Sequence, residues 1–152
     1  MHVEFTEHLR RKEHSIIMKS CYKEDAVIDL SHLVDSFDLQ KVLCCPAGKV
    51  GQIFYRRKLT SYNLTTYTRN HVIFCFMCSD IVVKRGSSEI ASCLWKWMKS
   101  LKPHIKRFTL YTDSCSGQDR NIFMAAMMLS ALRVLTIAVI NRTFLESGHT
   151  QM

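Results

Sequence analysis

Apolar and polar positions change period along the chain, and the changes divide it into elements. From Glu4 to about Asp25 charged residues dominate, and Phe5, Leu9, Ile16 and Ile17 form a thin apolar stripe, the pattern of a surface helix or arm. The next run, His32 to Cys45, carries Leu33, Val34, Phe37, Leu39, Val42 and Leu43 and predicts a strand that ends in a turn near Pro46 to Gly51. Ile53 to Tyr67, rich in Tyr and Thr, predicts a second strand, and the almost wholly apolar Val72 to Cys78 a third. Short connections make the three an antiparallel meander.

The period then lengthens. Gly86 and Ser87 open a helix to about Leu101, with Ile90, Cys93, Leu94, Trp97 and Met98 at helical spacing and Pro103 closing it. Arg107 to Thr112 predicts a strand, Asp113 to Gln118 a polar turn, Asp119 to Arg133 a helix, and Leu135 to Phe144 a final strand. The last strand–helix–strand unit implies parallel strands joined by a right-handed crossover. The expected fold is therefore α/β: a mixed five-stranded sheet with helices packed on it, plus an N-terminal surface helix. A charged arm, residues 1–30, precedes the domain proper, residues 31–152.

Composition narrows the class. A chain of 152 residues fits one domain, and 47% hydrophobic against 22% charged residues is the balance of a globular protein rather than a disordered tail. The net charge of +8 favours polyanionic partners, because Lys and Arg release counterions from phosphate backbones. Seven cysteines without a secretory leader point to a reducing, intracellular compartment in which thiols act as small apolar residues. No membrane association is expected. Asn121 to Ile140 has the length of a span, but Arg133 lies inside it and its second half turns β-branched, as in a buried strand.

Three carboxylates stand where chemistry is possible. Asp38 lies inside an apolar strand run, where an ionised group must be solvated at a wet face, paired or bound to metal. Asp113 ends a predicted parallel strand, the place where α/β sheets hold ligands and also where turn residues gather. Glu89 falls in the first turn of its helix, where the macrodipole alone accounts for a carboxylate. The topology joins them: after a meander and a strand–helix–strand unit, the first strand can pair in parallel with the fourth, which makes Asp38 and Asp113 neighbours. Such a pair, with a third acid from the adjoining helix, suits two Mg²⁺ ions for phosphodiester cleavage or transfer.

This order of elements, with acids on the first strand, first helix and fourth strand, resembles the ribonuclease H-like superfamily. More specifically, several stretches are similar to a transposon-derived protein family of animal genomes with such a core, of the DDE transposase/integrase type. They are Phe37-Asp38-Leu39-Gln40-Lys41-Val42-Leu43, Phe54-Tyr55-Arg56-Arg57-Lys58-Leu59 with Tyr62-Asn63-Leu64-Thr65, and Lys84-Arg85-Gly86-Ser87-Ser88-Glu89-Ile90. Asp113-Ser114-Cys115-Ser116-Gly117-Gln118-Asp119-Arg120-Asn121 and Gly148-His149-Thr150 complete the set. The resemblance implies that Asp38, Glu89 and Asp113 face Mg²⁺ or Mn²⁺ and that His149 lies near the site. It implies a nucleic-acid partner, DNA before RNA, and the nucleus before the cytoplasm.

Cys78-Ser79-Asp80 and Asp119 depart from the family pattern. Family members continue past Gly-His-Thr into an acidic segment and a further helix that should supply the last metal ligand. The expectation is accordingly an incomplete copy whose ancestor carried two-metal chemistry and which is inactive by itself. The alternative is a nucleic-acid-binding or interaction module that keeps the fold without catalysis, or a remnant without function. Arg56, Arg57 and Lys58, interleaved with Tyr55, Tyr62 and Tyr67, together with Lys84 and Arg85, are the expected nucleic-acid contacts, or equally a solvated face. Gly148-His149-Thr150 is also similar to the histidine turn of calcineurin-like phosphoesterases, but that family's other ligand motifs are missing. Cys75 and Cys78 have the spacing of one half of a zinc site and no matching second pair, and Cys115 has no identifiable base.

Overall fold

Residues His32 to Leu39 alternate apolar side chains to both sides, and both sides are covered. Leu33, Phe37 and Leu39 join one apolar cluster and Val34 another. The computed structural model describes residues 2–48, 51, 55–68, 72–84, 86–113 and 120–145, with the side chains of 2–5, 8, 23 and 27 left aside. In chain order the elements are α1 (His2–Ile28), β1 (His32–Leu39), β2 (Leu43–Cys45), β3 (Leu59–Thr68) and β4 (Ile73–Ser79). They continue with α2 (Ser87–Lys99), β5 (Arg107–Asp113), α3 (Ile122–Val134) and β6 (Val139–Leu145).

The strands form one six-stranded mixed sheet rather than the expected five-stranded one. The extra strand comes from a break in the first. Pairing of β1 with β3 runs from Asp35↔Thr68 to Leu39↔Leu64, whereas β2 pairs Leu43↔Ser61 to Cys45↔Leu59. The register slips by one residue across Lys41 and Val42, so two residues of one edge oppose one of the other, as in a β-bulge. The expected meander and parallel pairing are otherwise present. β3 lies antiparallel between β1 and β4, while β5 lies parallel to both β1 and β6. Across the sheet the order is β4, β3, β1, β5, β6, with β2 continuing the line of β1.

Parallel central strands need cover on both faces. On one face, Phe37, Leu64, Phe108 and Leu110 from the strands meet Ile90, Leu94, Trp97 and Met98 of α2 and Met124 and Ala131 of α3. The buried positions of α2 recur at i, i+4, i+7 and i+8, one stripe of an amphipathic helix. Glu89 stands in its first turn, and the Ser100 hydroxyl donates to the Trp97 carbonyl at its end (2.7 Å). Asn121 caps α3, its side-chain oxygen accepting from the Met124 N–H at 3.0 Å. The expected start at Asp119 lies outside the described residues.

On the other face α1 covers β1, β5 and β6, with Ala26 buried against Val34, Tyr111 and Leu145 and Tyr22 packed beside them. The thin apolar stripe of this surface helix is not what packs. Ile16 and Ile17 are exposed, because contact is made through the last turns, where small Ala26 lets the helix approach the sheet. The apolar run from Asn121 to Ile140 divides, as expected, into helix and strand. No helix among the described residues is long and apolar enough to cross a membrane.

Candidate carboxylate site

The parallel register of β1 and β5 advances residue for residue, from His32↔Arg107 to Ser36↔Tyr111. Two steps further, the same offset sets Asp38 opposite Asp113. Asp38 also pairs with Thr65, Thr65 with Cys75, and Asp113 with Leu145. One row therefore crosses the sheet as Cys75, Thr65, Asp38, Asp113 and Leu145, and in a pleated sheet such a row points to one face. Two contacts identify that face: the Thr65 hydroxyl lies 3.9 Å from the Cys75 sulfur, and Leu145 packs in the cluster under α1.

Both aspartates are half-buried and stand at the carboxyl ends of adjacent parallel strands. Neighbouring strands lie about 4.8 Å apart, so two ionised carboxylates at matching positions repel unless a cation or donors compensate. Oxygen donors at that spacing suit a hard divalent ion, and Mg²⁺ in proteins is commonly held by one or two carboxylates with water completing the shell. The donor set thus fits one ion.

Glu89 is not brought to the pair. Its carboxylate folds back over the start of α2, where the Ser88 hydroxyl donates to Oε2 at 2.8 Å and holds the carboxyl below its usual range. A Cβ on Gly86 would come within 2.5 Å of that oxygen, so the residue before the helix must be small for the carboxylate to sit there. Glu89 lines a cavity of about 300 Å³ with Leu39, Leu64, Phe76 and Ile90. Leu39 alternates with Asp38, which puts this cavity on the opposite face of the sheet. Among the described residues no group of three His, Cys, Asp or Glu side chains is arranged to hold a metal ion.

His149 and Arg85 lie outside the described residues, as does Cys115. Arg56 and Arg57 are exposed and Lys58 is half-buried just before β3, while exposed Lys84 lines the Glu89 cavity after β4. Ser61 pairs with Ser79, so these basic residues share the end of the sheet where β3 begins and β4 ends. Cys75 and Cys78 are an odd number of residues apart on one strand and point to opposite faces, which separates the thiols. The six described cysteines are free.

The most perturbed acid is one that the sequence pattern did not single out. Asp35 is 1% exposed and shares the face of Phe37, against α2 and α3. Its Oδ2 accepts from the Thr68 hydroxyl at 3.2 Å, and its Oδ1 has no hydrogen-bond partner among the described residues. Burial pushes its carboxyl up to about 8, against a smaller lowering by Thr68. Asp35 and Asp38 both interrupt the same apolar run, so the signal that marked one marks the other. On the sheet, Asp35 is sealed in the core while Asp38 sits at the strand's open end. Tyr111 is buried on the α1 face, and burial pushes its phenol up to about 12.

No protein-family profile, curated protein or solved structure matches the chain.

Proposed function

We propose that this chain is a nucleic-acid-acting domain of ribonuclease H-like type whose Asp38 and Asp113 hold a divalent cation, Mg²⁺ or Mn²⁺. The observation that carries this reading is the in-register pairing of the two acids at the carboxyl ends of parallel β1 and β5. The strand order β4, β3, β1, β5, β6, with only β3 antiparallel to β1 and β4, agrees with such a fold. An ion bound there would act as a Lewis acid on a phosphoryl oxygen. The protein's own part is to fix two carboxylates on rigid strands and to offer a basic surface to phosphates.

A second reading, a binding module without cleavage, is favoured by the position of Glu89 across the sheet, which leaves the pair, among the described residues, without the third carboxylate that two-metal chemistry calls for. Incubation of supercoiled plasmid with the purified chain and Mg²⁺ or Mn²⁺, beside the Asp113→Asn variant, separates the two. Metal-dependent nicking lost in the variant supports the enzyme. Salt-sensitive DNA binding with no nicking by either protein supports the module. No DNA binding and no cation binding sinks both.

A further inference from the structure

β4 pairs with β3 alone, so among the described residues its outer row of N–H and C=O groups meets no strand. Proteins blunt such an edge with Lys, Pro, a bulge or a covering element, because an open ladder templates pairing with another chain. Val72 to Ser79 contains no charged residue and no Pro. Its side chains are open to solvent as well. Ile73 and Met77 are 56% and 60% exposed, with exposed Val72 and Phe74 beside them and exposed Ile81 and Val82 in the turn that follows. Together the six offer roughly 700 Å² of surface, more than the largest apolar patch of a typical monomer.

We propose that two copies of this chain pair edge to edge through β4, antiparallel about a two-fold axis at Cys75, and join their sheets into one. A strand is the occupant that satisfies a bare ladder, and β4 is its own complement, because a two-fold axis perpendicular to the sheet keeps every side chain on its face. With the axis at Cys75, Ile73 stands opposite the second copy's Met77 and Phe74 opposite its Phe76, apolar against apolar. An axis one residue further on, at Phe76, would set Ile73 against Ser79. Covering the six exposed residues of both copies buries about 1,400 Å², inside the range of roughly 1,200–2,000 Å² that specific, stable interfaces occupy. The row through Asp38, Thr65 and Cys75 then continues into the second copy. It sets the two carboxylate pairs on one face of a continuous sheet, five strand spacings or roughly 24 Å apart along the row. The pairing itself does not depend on the nucleic-acid reading above.

The test is sedimentation velocity of the full chain over a concentration series in reducing buffer, where the parent should show a monomer–dimer equilibrium. Ile73→Lys/Met77→Lys opposes Lys to Lys at two symmetric places and should raise the dimer dissociation constant by about tenfold or more. Ile73→Lys/Met77→Glu removes the same apolar surface but opposes Lys to Glu at both places. It should dimerise about tenfold more tightly than the Lys/Lys variant, a recovery that misfolding does not produce. A short bismaleimide should join the two copies of the parent at Cys75, read by peptide mass spectrometry. The proposal is overturned if the Lys/Lys variant dimerises like the parent, if the Lys/Glu variant is no tighter than the Lys/Lys one, if the cross-link falls on other cysteines, or if the parent grows beyond the dimer. A parent that stays monomeric at every concentration also overturns it and leaves the edge to a strand of another polypeptide.

Discussion

Replacing Asp35 with Asn tests the account of the core. The carboxyl is sealed between Leu33 and Phe37 on the face of α2 and α3, with one oxygen bonded to Thr68 and the other unpartnered. Its folded value of about 8 against an ordinary 3.8 means that the folded protein holds this proton more tightly than the unfolded chain. Its contribution to stability is therefore fully present below pH 3.8 and is lost as pH rises towards 8. At 1.36 kcal/mol per pH unit, the loss by pH 7 is about 4 kcal/mol, a large part of a typical domain's stability. Asn keeps the shape and removes the titration. Urea unfolding at pH 5, 6, 7 and 8 should show the parent losing up to about 1.4 kcal/mol per unit relative to Asp35→Asn, since the other acids titrate alike in both proteins. Parallel profiles across that range would refute the placement of an uncompensated carboxyl in the core.

Two further substitutions probe the elements that carry the sheet. Leu94→Ala, at a fully buried position of α2, should cost about 2–5 kcal/mol, read as a lower urea midpoint at unchanged slope. Asn121→Ala should remove the cap of α3 and cost about 1 kcal/mol, with Asn121→Asp or Ser restoring most of it in thermal melts.

Much of this architecture was legible because both periodicities are strong. Leu33, Val34, Phe37 and Leu39 of β1, the near-continuous apolar run of β4 and Phe108, Leu110 and Tyr111 of β5 marked strands, and the Ile90, Leu94, Trp97, Met98 spacing marked α2. The parallel pairing that aligns Asp38 with Asp113 followed from element order. What escaped notice lies in tertiary detail. The one-residue slip at Lys41 and Val42 leaves no trace in a hydrophobic pattern that continues through it, so one strand was expected where two stand. For α1, side-chain size decided the contact, and Ala26 packs while the larger Ile16 and Ile17 do not. Glu89 shared a plausible motif with the aspartates, but the face on which a helix lands is set by packing, and Leu39 and Phe37 draw α2 to the side away from Asp38. Arg10 and Arg11 are far in the chain from Arg120 and Arg142, and only the fold brings both pairs to Phe144.

The central claim is that Asp38 and Asp113 form one cation site, and paramagnetic broadening by Mn²⁺ in ¹⁵N-edited NMR spectra tests it most directly. Substoichiometric Mn²⁺ should first broaden the amides around Asp38 and Asp113 at the ends of β1 and β5, and Asp113→Asn should abolish that effect while leaving the spectrum folded. Broadening centred elsewhere, or unchanged in the variant, would contradict the account.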